Sequence, residues 1–123
     1  MNNKTNFRKV PGFMRTVLAT NIEALMARDY KQTTLTARLK QLAKDATVSY
    51  STIQRVMASD TGASLDTIEL IASVFHLSAY QILIPNLHVN NPQVIKGATK
   101  DEERLYSNYR RNKLKQSHET EAT

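Results

Sequence analysis

Five of the six residues from Tyr50 to Arg55 carry hydrogen-bonding side chains: Tyr50, Ser51, Thr52, Gln54 and Arg55. Gln and Arg are the residue types suited to bidentate contacts with adenine and guanine edges, respectively. Ser, Thr and the Tyr ring add phosphate, polar-edge or thymine-methyl contacts. Other chemistries find less support. Ser, Lys and Asp are plentiful, yet no recognisable motif sets a nucleophile beside a base, and Gly62 stands alone without a phosphate-cradling loop. His76, His88 and His118 have no second His or carboxylate at helical metal spacing, so neither a metal nor another cofactor is expected. The chain is not expected to be an enzyme.

For any one of the five residues, an ordinary solvated helix face is the better reading. Their joint placement is what matters, and it depends on the elements around them. In LAKDATVSYSTIQRVM (residues 42–57), four residues, Thr47 to Tyr50, join two apolar helical runs. Before the join, Leu39, Leu42, Ala43 and Ala46 share one face, with Lys40 and Lys44 one turn apart elsewhere. After it, Ile53, Val56 and Met57 point inward. Two helices crossing steeply over so short a turn need a small residue at the crossing, apolar locks and a cap on the second helix. Ala43 supplies the first, Leu42, Val48, Ile53 and Val56 the second, and the Ser49 hydroxyl the third, accepting from the amide of Ser51 or Thr52. This is a helix-turn-helix, and the start of its second helix is where side chains reach base edges in a major groove.

Upstream, MNNKTNFRKVPG reads as a flexible basic arm over 1–12. FMRTVLATNIEALMARDY then carries Phe13, Val17, Leu18, Ile22, Leu25 and Met26 at helical spacing, and YKQTTLT is a polar connection around Leu35. Downstream, SDTGAS breaks the pattern. LDTIELIASVF forms a further amphipathic helix with Ser64 as its cap and Asp66 favouring its first turn. AYQILI is a short apolar helix closed by Pro85, with Ser78 able to cap it. The spacing therefore predicts five helices in residues 13–87, an all-α domain. Residues 88–123 read as a linker, then a charged helix in DEERLYSNYRRNKLK, then a disordered QSHETEAT tail. Leu105, Tyr109 and Lys113 line only a thin stripe on that helix.

Charge agrees with a polyanionic partner. The net charge is +6 and unevenly spread. Residues 1–22 hold Lys4, Arg8, Lys9 and Arg15 with no acid, and from Arg28 to Arg55 six bases face only Asp29 and Asp45. Residues 60–69 carry only the acids Asp60, Asp66 and Glu69. Arg38, Lys40, Lys44 and the arm bases are the candidates to neutralise phosphates. No apolar run is long enough to cross a bilayer, no signal peptide is expected, and the absence of Cys fits a cytoplasmic protein.

LAKDATVSYSTIQRV resembles the helix-turn-helix signature of the phage lambda repressor-like (Cro/repressor, XRE) family, and SLDTIELIASVFHLSAYQIL looks like that family's fourth and fifth helices. The resemblance covers about residues 13–87. It implies a five-helix domain that binds operator DNA as a homodimer, acting as a transcriptional regulator of phage or mobile-element repressor type. It places Tyr50, Ser51 and Arg55 where the family reads bases, with Thr52 and Gln54 beside them, and Arg38 where it touches phosphate. Four features depart from the pattern. Thr47 holds the usual turn Gly and is expected to strain the turn or shift it. Leu39 stands where a polar phosphate contact is common, the first connection is longer than usual, and ASDTGAS lacks bases. His76 replaces a frequent Gly and is read as a C-terminal cap rather than a ligand. Residues 88–123 are too short for the self-cleaving protease domain found in many such repressors, so control would come from a partner protein, a ligand or dilution of dimers. The alternative function is a protein-interaction module, antitoxin-like or antirepressor-binding, acting through helices four and five or the tail.

Overall fold

The computed structural model describes residues 12–59, 61–95 and 99–122, with side chains through 116. Among these residues the protein is all-α: α1 (Phe13–Asp29), α2 (Leu35–Ala46), α3 (Tyr50–Ala58), α4 (Leu65–Val74), α5 (Ala79–Ile82) and α6 (Lys100–Ala122), with no strand. The expected flexible arm, with Lys4, Arg8 and Lys9, lies outside the described residues. The chain divides into two compact units, Met1–Gln93 and Val94–Thr123.

In the first unit, α2 packs on α3 and α4, α1 on α3 and α5, and α4 on α5. The core they enclose takes one or more apolar residues from every one of these helices: Leu18, Ile22, Leu25 and Met26 of α1, Leu39, Leu42, Ala43 and Ala46 of α2, Ile53 and Val56 of α3, Ile68, Ile71 and Ala72 of α4, and Ile82 of α5. Phe13 and Leu65, expected on the inner faces, are exposed instead; each stands first in its helix. Tyr30 lies tilted against Phe75, their ring centroids 6.0 Å apart, and donates its hydroxyl to Asp45 at 2.9 Å. Burial, reinforced by Asp45, pushes the Tyr30 phenol up, so it stays a donor.

Helix α2 starts two residues earlier than expected, at Leu35, because Thr34 caps it: its hydroxyl accepts from the Ala37 amide at 3.2 Å. Two buried polar side chains, unforeseen from the pattern, bind the short α5 to the rest. Asn21 donates to the carbonyls of Ile82 and Ile84 at 2.8 and 2.9 Å. Gln81 accepts from the Ser78 amide at 2.9 Å and donates to the Gln93 carbonyl at 3.0 Å. Gln93 in turn accepts from the His88 amide and donates to the Asn86 carbonyl, so residues 86–93 form an organised turn on this unit.

The turn between α2 and α3 keeps the geometry a Gly would give. Thr47 adopts φ 57°, ψ 40°, a left-handed conformation that a β-branched residue resists. The Val48 amide donates to the Ala43 carbonyl at 3.0 Å and the Thr47 amide to that of Lys44 at 3.2 Å, while Val48 packs on the core. This is a Schellman ending, and it recurs after α4, where His76 sits at φ 59° and Leu77 donates to the Ala72 carbonyl. His76 is thus a cap residue, exposed at the helix end. Since the turn holds its shape with a strained residue, Thr47→Gly is expected to stabilise the domain by about 1 kcal/mol, read as a higher denaturant midpoint at unchanged slope. A loss of stability would mean that the Thr47 side chain contributes more than its backbone costs.

In the second unit, α6 is a single 23-residue helix. It continues to Ala122, past Lys115, into the segment expected from the sequence to be a disordered tail. Thr99 caps its start, its hydroxyl accepting from the Glu102 amide at 3.2 Å, and Asp101, Glu102 and Glu103 follow in the first turn. Every side chain described from Lys100 to Gln116 is exposed.

Candidate nucleic-acid interface

The candidate surface is built on α3, a helix of only nine residues. Alone, so short a helix would not persist in water. Three features fix it. Ile53 is fully buried and Val56 nearly so, locking its back against α1 and α2. Ser49 caps it, its hydroxyl accepting from the Thr52 amide at 3.1 Å, as the sequence spacing predicts. At the far end Ser59 turns left-handed at φ 60°, donates its hydroxyl to the Arg15 carbonyl at 3.3 Å, and accepts from the Arg15 guanidinium at 3.5 Å. Sequence reasoning placed Arg15 only among the bases of the N-terminal region. Its position across α1 from the end of α3 is a tertiary fact that spacing does not encode.

With its back fixed, α3 turns the other face outward. Ser51, Gln54 and Arg55 are exposed, and neither Gln54 nor Arg55 is covered by another element. Tyr50 is half-buried, its ring resting partly on the core. The Lys40 ammonium lies 5.9 Å from the centre of that ring, a cation–π contact that joins α2 to the start of α3. Ser49 and Thr52 are occupied with the cap: their hydroxyls lie 2.7 Å apart, and the Ser51 hydroxyl is 3.2 Å from that of Ser49. Thr52 is itself half-buried.

Of the bases assigned to phosphate contacts, Lys40 and Lys44 are exposed on α2. Arg38 is partly engaged within the protein: its Nε donates to the Gln32 carbonyl at 2.6 Å, closing the long α1–α2 connection against the start of α2. Beside α3, Thr52, Arg55, Val56, Thr61, Gly62, Ala63, Ser64 and Thr67 line a depression of 270 Å³. The loop after α3 therefore shares a surface with Arg55 although it contributes no base. Among the described residues no cluster of His, Asp and Glu is arranged to hold a metal, and no helix is long and apolar enough to cross a membrane.

The sequence-predicted residues thus divide into three groups. Ser51, Gln54 and Arg55, with the outer part of Tyr50, form an exposed polar strip on one helix. Lys40 reaches it from α2 through the Tyr50 ring, and Lys44 is exposed on the same helix. Ser49, Thr52 and Arg38 serve local structure through the bonds described above.

The chain is similar in structure to a crystallised repressor from a Salmonella temperate phage, with a TM-score of 0.52 and 20% sequence identity over 84% of this chain and 97% of that one. At that identity the likeness establishes the fold. No protein-family model matches the chain, and no curated protein matches it in sequence.

Proposed function

We propose that this protein is a sequence-specific DNA-binding regulator of the lambda repressor-like (XRE) helix-turn-helix type, and that α3 is its recognition helix. One observation carries the reading. The outward face of α3 presents exposed Ser51, Gln54 and Arg55, while Ile53 and Val56 hold its inner face in the core. A helix anchored this way can enter a major groove as a rigid body, with N-terminal side chains meeting base edges. The repressor fold found in the structural comparison supports it, as does the net charge of +6.

In this reading Arg55 pairs with guanine and Gln54 with adenine, while Tyr50 and Ser51 add thymine-methyl, polar-edge or phosphate contacts. Lys40 and Lys44 neutralise phosphates, and Arg38 can do so through its terminal nitrogens while Nε stays on Gln32. Lys40 also holds the Tyr50 ring in place, so it serves both roles. A homodimer would present two α3 helices to half-sites about 34 Å apart. As a regulator of repressor type it needs no cofactor, no catalysis and no membrane, and it would act in the cytoplasm.

Selection from a random DNA pool tests this directly. The expected outcome is enrichment of one palindromic site whose half-sites are spaced by roughly one helical turn. Uniform recovery of sequences, with binding that simply fades as salt rises, would leave only a nonspecific polyanion binder.

A further inference from the structure

Tyr50 opens α3, and its half-buried ring packs partly against the core. What orients the rest of the ring comes from another helix. The Lys40 ammonium, on α2, lies over the ring at 5.9 Å from its centre. Lys40 is exposed, and among the described residues no carboxylate pairs with it. An ammonium carries several donors, so one side can face the ring while the others still meet an anion. Lys44, one turn further along α2, is also exposed but meets no aromatic ring among the described residues.

That contact separates two lysines that charge alone treats as equivalent. A lysine that only neutralises a phosphate strengthens binding to every sequence alike. A lysine that also fixes an aromatic side chain at the start of a recognition helix acts on what the ring meets. An unrestrained Tyr side chain samples several staggered wells, and each places the ring and its hydroxyl differently. Hydrogen bonds and methyl contacts at a base edge tolerate little displacement, so discrimination there requires one well.

We infer that Lys40 is a specificity-determining positioning residue: it reaches no base, yet by holding the Tyr50 ring it sets the preference at the base pair Tyr50 meets. The inference rests on the reading of α3 as the recognition helix and deepens it, because base preference then depends on a residue of α2. Phosphate contact and ring contact reinforce each other. A phosphate engaged by Lys40 anchors the ammonium, and the anchored ammonium orients the ring. A contact of this kind at an exposed site corresponds to a factor of roughly two to five.

The test profiles the affinity of full-length variants for the selected site and for all its single-base changes. Lys40→Met keeps the reach of the side chain and removes its charge. It should lower affinity overall and flatten preference at one base pair by roughly two- to fivefold, the same pair that Tyr50→Leu flattens. Lys40→Arg, whose guanidinium also stacks on aromatic rings, should restore that preference. Lys44→Met should weaken all sites in parallel. The double variant Lys40→Met with Tyr50→Leu should show no flatter a profile than Tyr50→Leu alone, since the lysine then has no ring to hold. Proton NMR without DNA supplies a second readout. The ring current should shift the Lys40 ε-methylene upfield of that of Lys44, and Tyr50→Leu should abolish the difference. Lys40→Met behaving like Lys44→Met, losses that add in the double variant, or an absent ring-current shift would each overturn the inference. Parallel profiles around an enriched wild-type site would sink it alone, whereas the lack of any enriched site would sink the reading of α3 and this inference with it.

Discussion

Ile53→Ala is expected to destabilise the domain by about 2–5 kcal/mol, the largest effect of any single truncation in α3. Ile53 is fully buried, and its loss leaves a cavity where α1, α2 and α3 meet. Domains of this size have total stabilities of roughly 5–15 kcal/mol, so much of the margin disappears. Chemical denaturation followed by circular dichroism measures it. DNA binding should fall in parallel with the folded fraction, since Ile53 faces the core and touches no ligand. A variant that remained as stable as wild type would show that α3 is not pinned by this residue, and the rigid reading head would lose its foundation.

On the proposed reading, Arg55→Ala is expected to reduce discrimination among DNA sites by about 1–3 kcal/mol, because it would remove the proposed bidentate contact to guanine. Arg55 is exposed and is not part of the core, so the fold should be untouched. Lys44→Ala provides the contrast. On the same reading it would remove a proposed phosphate contact, which should weaken every sequence alike and lower the salt dependence by about one counterion. Competition between the selected site and its single-base variants separates these behaviours. Should Arg55→Ala lower affinity uniformly and leave the preference intact, Arg55 contacts the backbone and another side chain reads the base.

The polar strip on α3 was legible in the sequence because Ile53 and Val56 mark the buried side of a helix and the remaining positions must then face out. The cap at Ser49 was equally legible, since an N-cap hydroxyl and its partner amide are three residues apart and need no tertiary partner. So was the turn at Thr47, in part. Its place demanded a left-handed residue, yet only the folded chain decided that Thr would accept that conformation rather than reshape the turn. The physical reason is that Val48 must reach the core, and the two Schellman bonds hold the backbone there.

Other features depend on contacts between residues far apart in the chain. Arg15 meets Ser59 across 44 positions and Asn21 meets Ile82 across 61, and neither pairing leaves a periodic trace. The exposure of Phe13 and Leu65 belongs here too, since helical spacing reports which residues share a face but not whether a neighbour covers the first turn. Spacing over 3–4 residues, capping chemistry and the sign of charge are local, so the sequence by itself determined the helices, their order and the composition of the candidate reading head. Which of those side chains remain outside, and which are spent holding the head in place, only the tertiary structure decided, because burial is a property of the surroundings and not of the residue.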